Sequence, residues 1–192
     1  MDAKVTREHI VRAADELFYR QGFEHTSFAD IADAVGISRG NFYYHFKTKD
    51  EILAAVIGAR IAERRQMLRQ WEAEQDTPAG RIRCYVNIVI ANEADIESYG
   101  CPVGTLTTEL SKLAHPSLDG ATAIFTLFRS WLGEQFAALG RAHDADELAM
   151  HVLAFSQGIA TMSNAYQDRE FVRREVERLC AWVDEQAARP CT

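Results

Sequence analysis

The strongest constraint on the fold is a cluster of three helix starts and a glycine turn within residues 26–53. Ser27, Ser38 and Thr48 each have the short polar side chain that caps a helix N-terminus. Gly36 stands between the first two predicted helices, where the chain requires a left-handed backbone. A short helix, a glycine turn and a second short helix are typical of a helix-turn-helix, which places its second helix in the DNA major groove.

The rest of the chain also predicts helices. Apolar residues recur at spacings of three and four, and the 192 residues include only four prolines and eleven glycines. We therefore expect an all-α fold of about nine helices. An N-terminal three-helix helix-turn-helix domain is expected over residues 1–48, and a larger helical C-terminal domain over residues 49–192.

Polar residues at capping spacing set the predicted helix bounds. Thr6 and Thr77 are expected N-caps, and capping boxes are expected at Ser27 with Asp30, Thr48 with Glu51 and Asp144 with Glu147. The longer helices are predicted at Thr6–Gln21, Lys49–Trp71, Pro78 to about Ser98, Pro102–Ala114, a segment that reaches Leu139, Ala145–Tyr166 and Arg169–Ala188.

Charge is distributed unevenly along the chain. The net charge of −7 argues against a protein that coats nucleic acid without sequence preference, because such binding depends on many basic contacts to phosphate. Residues 36–49 nevertheless carry Arg39, Lys47 and Lys49 and no acid. Further arginines follow on the next predicted helix, at Arg60, Arg64, Arg65 and Arg69. This asymmetry is typical of a small DNA-facing end on an acidic body.

Several classes of site and location are not favoured. No apolar run reaches the roughly 20 residues of a membrane span, and the charged start is no signal peptide, so we expect a cytoplasmic protein without membrane partners. No cofactor or metal motif is present, and we predict neither. The four cysteines lack metal or disulfide spacing and are expected to be reduced: Cys84, Cys101, Cys180 and Cys191.

The second short helix has one apolar face and one polar face. Phe42 and Phe46 lie four residues apart and are expected to pack on Ile31, Val35 and Phe18. The opposite face can read bases through Arg39 and Asn41 and can contact phosphates around them. The complete candidate DNA-binding set is Thr26, Ser27, Ser38, Arg39, Gly40, Asn41, Tyr43, Tyr44, His45 and Lys49. The alternative is that these tyrosines and His45 are ordinary core or surface residues.

This segment resembles the N-terminal domain of the tetracycline-repressor (TetR) family of bacterial transcription regulators. The resemblance rests on Thr26, Ile31-Ala32, Val35-Gly36-Ile37-Ser38, Phe42-Tyr43, His45-Phe46 and Lys49 followed by Leu53. It implies that the chain is a DNA-binding regulator, and that residues 49–192 bind an effector and dimerise. It also implies that the positions matching Arg39, Gly40, Asn41, Tyr43, Tyr44, His45 and Lys49 lie at the DNA.

The last two helices are the expected dimer interface. One stripe of the Ala145–Tyr166 helix consists of Leu148, Val152, Phe155, Ile159 and Met162, and the final helix matches it with Val172, Val176, Leu179 and Val183. A second face has mostly small residues, Met150, Ala154, Gly158, Thr161 and Ala165. We expect a homodimer because one recognition helix reads too few base pairs, although a hairpin wholly within one chain is the alternative.

The resemblance also makes the intervening helices candidate walls of a pocket for a small-molecule effector of unknown identity. The candidate residues are Met67, Trp71, Tyr85, Ile88, Asn92, Leu106, Thr107, Leu110, Phe125, Phe128 and Trp131, each of which could equally be plain core.

We therefore expect a ligand-responsive repressor that binds a palindromic operator as a dimer, and no enzyme. Three alternatives stay open. Cys101 lies at a predicted helix start, where a thiolate is favoured, so the chain could be a redox or electrophile sensor. It could also be an architectural DNA-binding protein without an effector. The third alternative is a cysteine enzyme that uses Cys101 with His115 or His151, although no catalytic residues are indicated by any motif.

Overall fold

The computed structural model describes residues 3–189, and the side chains of residues 6–189; Cys191 lies outside this range. The described chain is helical throughout and contains no strand. It forms ten helices: α1 (Ala3–Gln21), α2 (Phe28–Val35), α3 (Arg39–His45), α4 (Lys49–Glu74), α5 (Pro78–Ala91), α6 (Glu93–Tyr99), α7 (Pro102–Lys112), α8 (Leu118–Ala138), α9 (Ala145–Tyr166) and α10 (Arg169–Ala188). The all-α fold is therefore confirmed, with one helix more than the expected nine.

The chain forms two compact units that differ from the sequence-based division at residue 48. The first comprises the chain up to Glu63 together with Thr105–Ile124, and the second comprises Arg64–Gly104 and the chain from Phe125 onwards. These units describe packing. The functional boundary between residues 1–48 and 49–192 stays a prediction.

The first unit has a continuous apolar core beneath the short helices. Phe42 and Phe46 are each 1% exposed and pack in one cluster with Phe18 and Ile31. Helix α4 contributes Ile52, Leu53 and Val56, which are fully buried, and Leu106 and Leu110 of α7 complete the cluster. Each of these large side chains removes apolar surface from water. Their shared burial therefore stabilises the orientation of α3 relative to α1, α4 and α7.

The second unit is built around α9 and α10. Helix α10 packs against α5 and α9, and α6 packs against α9. Val152 and Ile159 of α9 and Val172 and Val183 of α10 are buried, as the predicted stripes require. Phe155 and Met162 are exposed at 36% and 38%, so their expected place in the internal stripe was wrong.

Most predicted helix bounds are close to those of the structure, and three details differ. Helix α1 begins at Ala3, so Thr6 is no N-cap. Asp144 makes no cap hydrogen bond, because its carboxylate accepts from Arg141 instead. The helix expected from Pro78 to Ser98 is interrupted at Asn92, which separates α5 from α6.

The described residues were also compared with the requirements of membrane spans, metal sites and disulfides. No described helix is both long enough and apolar enough to cross a membrane. Within residues 3–189 no three His, Cys, Asp or Glu side chains are arranged to hold a metal ion. Cys84, Cys101 and Cys180 are free thiols in the described chain.

Candidate functional site

Helices α2 and α3 form the expected helix-turn-helix, and local hydrogen bonds define each end. Ser27 and Asp30 make a full capping box, with the Ser27 N–H 2.7 Å from the Asp30 carboxylate. Gly36 has a φ of 70° and donates its N–H to the carbonyls of Ala32 and Asp33, so it ends α2 in the left-handed region. The Ser38 hydroxyl then accepts from the Asn41 N–H and starts α3.

The capping box fixes the charge at the start of α2. Hydrogen bonds from the Ser27 backbone and side chain lower the pKa of Asp30 from its ordinary value of 3.8. Asp30 is therefore ionised at neutral pH, and its negative charge lies where the helix dipole favours it.

Burial of two phenylalanines turns the polar side of α3 outwards. With Phe42 and Phe46 in the core, Arg39, Gly40 and Asn41 are exposed at the first turn. Tyr43 is 46% exposed and Tyr44 is 73% exposed. The face defined by Ser27, Ser38, Arg39, Gly40, Asn41, Tyr43 and Tyr44 is called the α3 face below.

Gly40 keeps the centre of the α3 face open. A Cβ built at this position would meet no atom within 4 Å, so the fold does not require glycine here. Tyr43 is held at the edge by its ring, whose centroid lies 5.5 Å from that of Phe28. The centre of the α3 face therefore has no side chain, and a nucleic-acid groove can approach such a surface closely.

Three of the predicted DNA-binding residues are not fully exposed. Thr26 is 1% exposed, and its hydroxyl donates to the Gly22 carbonyl at 2.7 Å. His45 is half-buried. The Lys49 ammonium donates to the carbonyls of Phe23 and Glu24 at 2.9 and 3.2 Å. Thr26 and Lys49 therefore stabilise the turn before α2, and any contact that they make with DNA stays a prediction.

The same turn is held from the other side by Glu109, which the sequence analysis did not single out. Its carboxylate accepts the backbone N–H groups of Phe23 and Glu24, both at 2.9 Å. Gly22, with a φ of 91°, lies where a Cβ would come within 3.0 Å of this carboxylate. Glu109 is 86 residues from Phe23, so no local pattern in the sequence could have indicated the contact.

The basic end is smaller than the sequence suggests. Arg60 is 4% exposed and binds the carboxylate of Asp15 at 2.6 Å. It therefore contributes little to the surface potential. Arg39 and Lys47 remain exposed on or beside α3.

The second unit contains a cavity of about 490 Å³. Its walls come from the second half of α4, from α5, α6, α8 and α9, and from the start of α7. The lining residues are Arg64, Met67, Trp71, Cys84, Tyr85, Asn87, Ile88, Val89, Ala91, Asn92, Ile96, Cys101, Pro102, Val103, Phe125, Phe128, Ser156, Gln157 and Ala160. Its size and largely apolar lining are typical of small-molecule sites.

The predicted pocket residues fall into two groups. Those that line the cavity are Met67, Trp71, Tyr85, Ile88, Asn92, Phe125 and Phe128. Leu106 and Leu110 belong instead to the core of the first unit, and Thr107 does not line the cavity. Trp131 does not line the cavity; its ring centroid lies 5.9 Å from that of Trp71, and its indole N–H donates to a Glu72 oxygen at 2.8 Å. Arg64, Ser156 and Gln157 line the cavity although the sequence analysis did not propose them.

One buried polar group on the cavity wall is unpaired among the described residues. Within residues 6–189 the Ser156 hydroxyl makes no hydrogen bond, although the residue is only 2% exposed. Burial raises the pKa of the Tyr85 phenol well above its ordinary value, so this group is a neutral donor. Buried polar atoms are nearly always paired in folded proteins, so an unpaired hydroxyl on a cavity wall indicates a polar occupant or water.

Helix α9 also carries an exposed apolar face. Met150, Phe155, Met162 and Tyr166 are among the large apolar side chains that remain exposed. Ala154, Gly158, Thr161 and Ala165 are exposed between them. A Cβ at Gly158 would meet no atom within 4 Å, so this glycine is not required by packing within the described chain.

Comparison with known proteins agrees with the helix-turn-helix geometry. The family model described as "Bacterial regulatory proteins, tetR family" matches residues 10–56, the segment that contains α2, α3 and their packing partners. The matched segment includes most of the apolar core beneath the α3 face.

Similarity extends further along the chain in individual proteins. An uncharacterized HTH-type transcriptional regulator in the lacX 3′ region of Lactococcus lactis subsp. lactis is 29% identical over 136 residues, which cover 70% of this chain and 69% of that protein. The HTH-type transcriptional repressor DhaR of Mycobacterium sp. is 24% identical over 174 residues, 85% of each chain. A TetR-family regulator structure from Cytophaga hutchinsonii superposes with a TM-score of 0.84 at 18% identity, covering 98% of each chain, and so shares the fold.

Proposed function

The chain belongs to the TetR family of bacterial regulatory proteins, and from this premise we propose that it is a dimeric transcriptional repressor that releases its operator when a small molecule binds. The observation that carries the proposal is the pairing of an exposed α3 face in the first unit with a roomy cavity in the second.

The α3 face supports DNA binding through the chemistry of its side chains. Arg39 can donate two hydrogen bonds to guanine, and Asn41 can pair with adenine. Tyr43, Tyr44 and the serine caps can contact phosphates, which would fix the register of α3 in the groove. The amide groups at the start of α3 add a positive partial charge that favours the phosphate backbone.

The cavity favours a ligand-responsive regulator over an architectural DNA-binding protein. An architectural protein has no use for an effector, so we would expect a tightly packed body. Here a volume of about 490 Å³ is open, and Ser156 leaves a buried hydroxyl unpaired among the described residues. Ligand binding and DNA binding would then be coupled reciprocally, because each would favour a different conformation of the same chain.

The exposed face of α9 supports dimerisation through the last two helices. Its apolar side chains are contiguous with small residues that permit close helix approach. Two copies of α3 would read two half-sites, which supplies the specificity that a single short helix lacks. A protein that acts on the chromosome in this way works in the cytoplasm.

The redox alternative receives less support than reversible ligand binding. Cys101 does lie at the start of α7, and the Gly104 N–H donates to its sulfur at 3.5 Å. The chain nevertheless offers Cys101 as one wall residue among many in a cavity that can hold a ligand without covalent chemistry. The relatives described above are named as regulators, which gives the cysteine-enzyme alternative no support.

Selection from a random DNA duplex library tests the DNA-binding part. We expect the purified protein to enrich an inverted repeat, and the double variant Arg39→Ala/Asn41→Ala to enrich no defined half-site.

A compound library tests whether a small molecule releases the operator, with fluorescence anisotropy of the protein–operator complex as the readout. The variant Ala160→Trp, whose larger side chain fills the cavity, should still bind the operator but should no longer release it when a compound is added. Release by no compound would favour the architectural alternative, whereas equal release from both proteins would show that the compound acts outside this cavity.

A further inference from the structure

The charges that line the cavity are unequal. Arg64 is its one cationic wall residue, and none of the described lining residues is Asp or Glu. The other polar groups there are amides, hydroxyls and thiols. A bound cation would therefore meet no countercharge, whereas a bound anion would meet one.

Arg64 is half-buried and available to a ligand. It shares one face of α4 with Met67 and Trp71, at spacings of three and seven residues, and all three line the cavity. Among the described residues Arg64 has no ion-pair or hydrogen-bond partner. Arg60, one turn earlier, pairs with Asp15, and the other two arginines of α4, Arg65 and Arg69, are exposed and do not line the cavity.

The remaining wall is largely apolar and aromatic. Trp71, Tyr85, Phe125 and Phe128 surround the space, and the Tyr85 and Phe128 rings meet edge to face with centroids 5.1 Å apart. Such a wall favours the burial of a hydrocarbon body, which contributes free energy in proportion to its apolar area. Ser156 adds a buried hydroxyl that is unpaired within residues 6–189 and can bind a second polar atom of the occupant.

We infer that the effector is a lipophilic carboxylate, an aromatic or long-chain acid whose anionic group pairs with Arg64 and whose hydrocarbon body fills the cavity of the second unit. This inference rests on the proposed function only in calling the ligand an effector. A carboxylate fits a single guanidinium because the two groups can form parallel hydrogen bonds. A phosphate dianion would leave charge uncompensated beside one arginine.

Matched probes in binding titrations test the ligand class on the full chain. The acids are naphthalene-2-acetate, biphenyl-4-acetate and decanoate, each compared with its primary amide and with an amine of the same length. We expect at least one acid to bind about tenfold or more tightly than its amide, the range expected for a charge-assisted hydrogen bond. The amines should bind more weakly than either.

The variants Arg64→Gln and Arg65→Gln separate the wall residue from its exposed neighbour. Both remove one positive charge, but Arg65 does not line the cavity. Arg64→Gln should bring the affinity of the acid close to that of its amide, Arg64→Lys should restore part of the difference, and Arg65→Gln should leave it unchanged. Thermal unfolding should show the same fold in all three.

The inference is overturned if no acid binds more tightly than its amide, or if Arg64→Gln and Arg65→Gln lower the affinity for acids equally. The DNA selection described above is a separate readout. A protein that binds acids through Arg64 and selects no operator would refute the proposed function and leave the ligand class standing. A protein that binds an operator but shows no preference for acids would refute the ligand class and leave the proposed function standing.

Discussion

Single side chains on the α3 face are expected to have separable roles in DNA binding because their surroundings differ. Arg39 and Asn41 project from the first turn into solvent, whereas Tyr43 is supported by the Phe28 ring. Groups that reach base edges discriminate between sequences, and groups that reach phosphate add affinity for all of them. Gly40 contributes an open space rather than a contact.

Gly40→Ala tests whether that open space admits DNA. Alanine has the higher helix propensity, and its Cβ would meet no neighbour, so the free energy of unfolding should rise by about 0.5–1 kcal/mol. Operator affinity should fall, because the added methyl group occupies the surface that approaches the bases. Urea unfolding and operator titration measure the two effects. A variant that gains stability and retains full affinity would place the DNA elsewhere.

Arg39→Ala and Tyr43→Ala should impair operator binding in different ways. Loss of Arg39 should cost about 1–3 kcal/mol on the selected operator and little on a duplex mutated at one base pair of each half-site, which relaxes preference there. Loss of Tyr43 should weaken both duplexes alike, and Tyr43→Phe should show how much comes from the hydroxyl. Titrations at two salt concentrations provide the comparison. If Arg39→Ala and wild type had the same affinities for both duplexes, Arg39 would not contact a base.

The outward direction of the α3 side chains could be predicted from sequence because the helix period alone determines it. Once Phe42 and Phe46 are buried, Gly40 and Tyr44 must face away from them. Thr26 and Arg60 could not be placed in this way. Their partners are the Gly22 carbonyl and the Asp15 carboxylate, and the Asp15 contact bridges 45 residues. Tertiary contacts of this kind decide whether a polar side chain faces solvent or closes a turn.

At the scale of elements, α7 fastens the turn that leads into α2. One carboxylate, Glu109, accepts two backbone N–H groups, while Lys49 of α4 binds the carbonyls of the same two residues. The polar groups of this turn are thus paired with two separate helices. The position of α2 and α3 therefore depends on α4 and α7 as well as on the apolar core.

Glu109→Gln should destabilise the first unit. The amide retains one acceptor oxygen and replaces the other with a donor, so one N–H loses its partner at a cost of about 1–2 kcal/mol. Chemical denaturation measures this change. Glu134→Gln, at an exposed site on α8, removes the same charge and should stay within about 0.5 kcal/mol of wild type. Equal effects in both variants would show that net charge, and not the turn contact, is responsible.

Helix boundaries could be predicted where a single local signal acts, as at Thr77 and Pro78, which open α5 as expected. The start of α9 at Ala145 was also as predicted, but the expected capping box was wrong because two partners compete for one carboxylate. Asp144 and Glu147 have capping-box spacing, but the Arg141 guanidinium takes the Asp144 carboxylate. The cavity walls were predictable only in part for a related reason. Leu106 is as apolar as the lining residues, and only the fold assigns it to the other core.

At the scale of the whole molecule, we expect a second copy of the chain to cover the exposed face of α9. Met150, Phe155, Met162 and Tyr166 are exposed there. Because the net charge is −7, we expect attraction to DNA to come from the α3 face alone. A second copy would cover the apolar face of α9. It would also double the attraction to DNA, since two α3 faces would contact the same duplex. Loss of the dimer should therefore remove operator binding while each chain remains folded.

Gly158→Glu tests this dependence without disturbing the chain itself. The Gly158 site is open in the described chain, so glutamate should be tolerated in a monomer, whereas a close seam between two α9 helices would bury an unpaired charge. We expect light scattering to report monomers, circular dichroism to report unchanged helix content, and operator affinity to fall by at least about 100-fold because only one half-site is engaged. Ala137→Glu, at an exposed site on α8, is the matched control and should remain dimeric. If Gly158→Glu also remained a stable dimer, the interface would have to lie outside this face of α9.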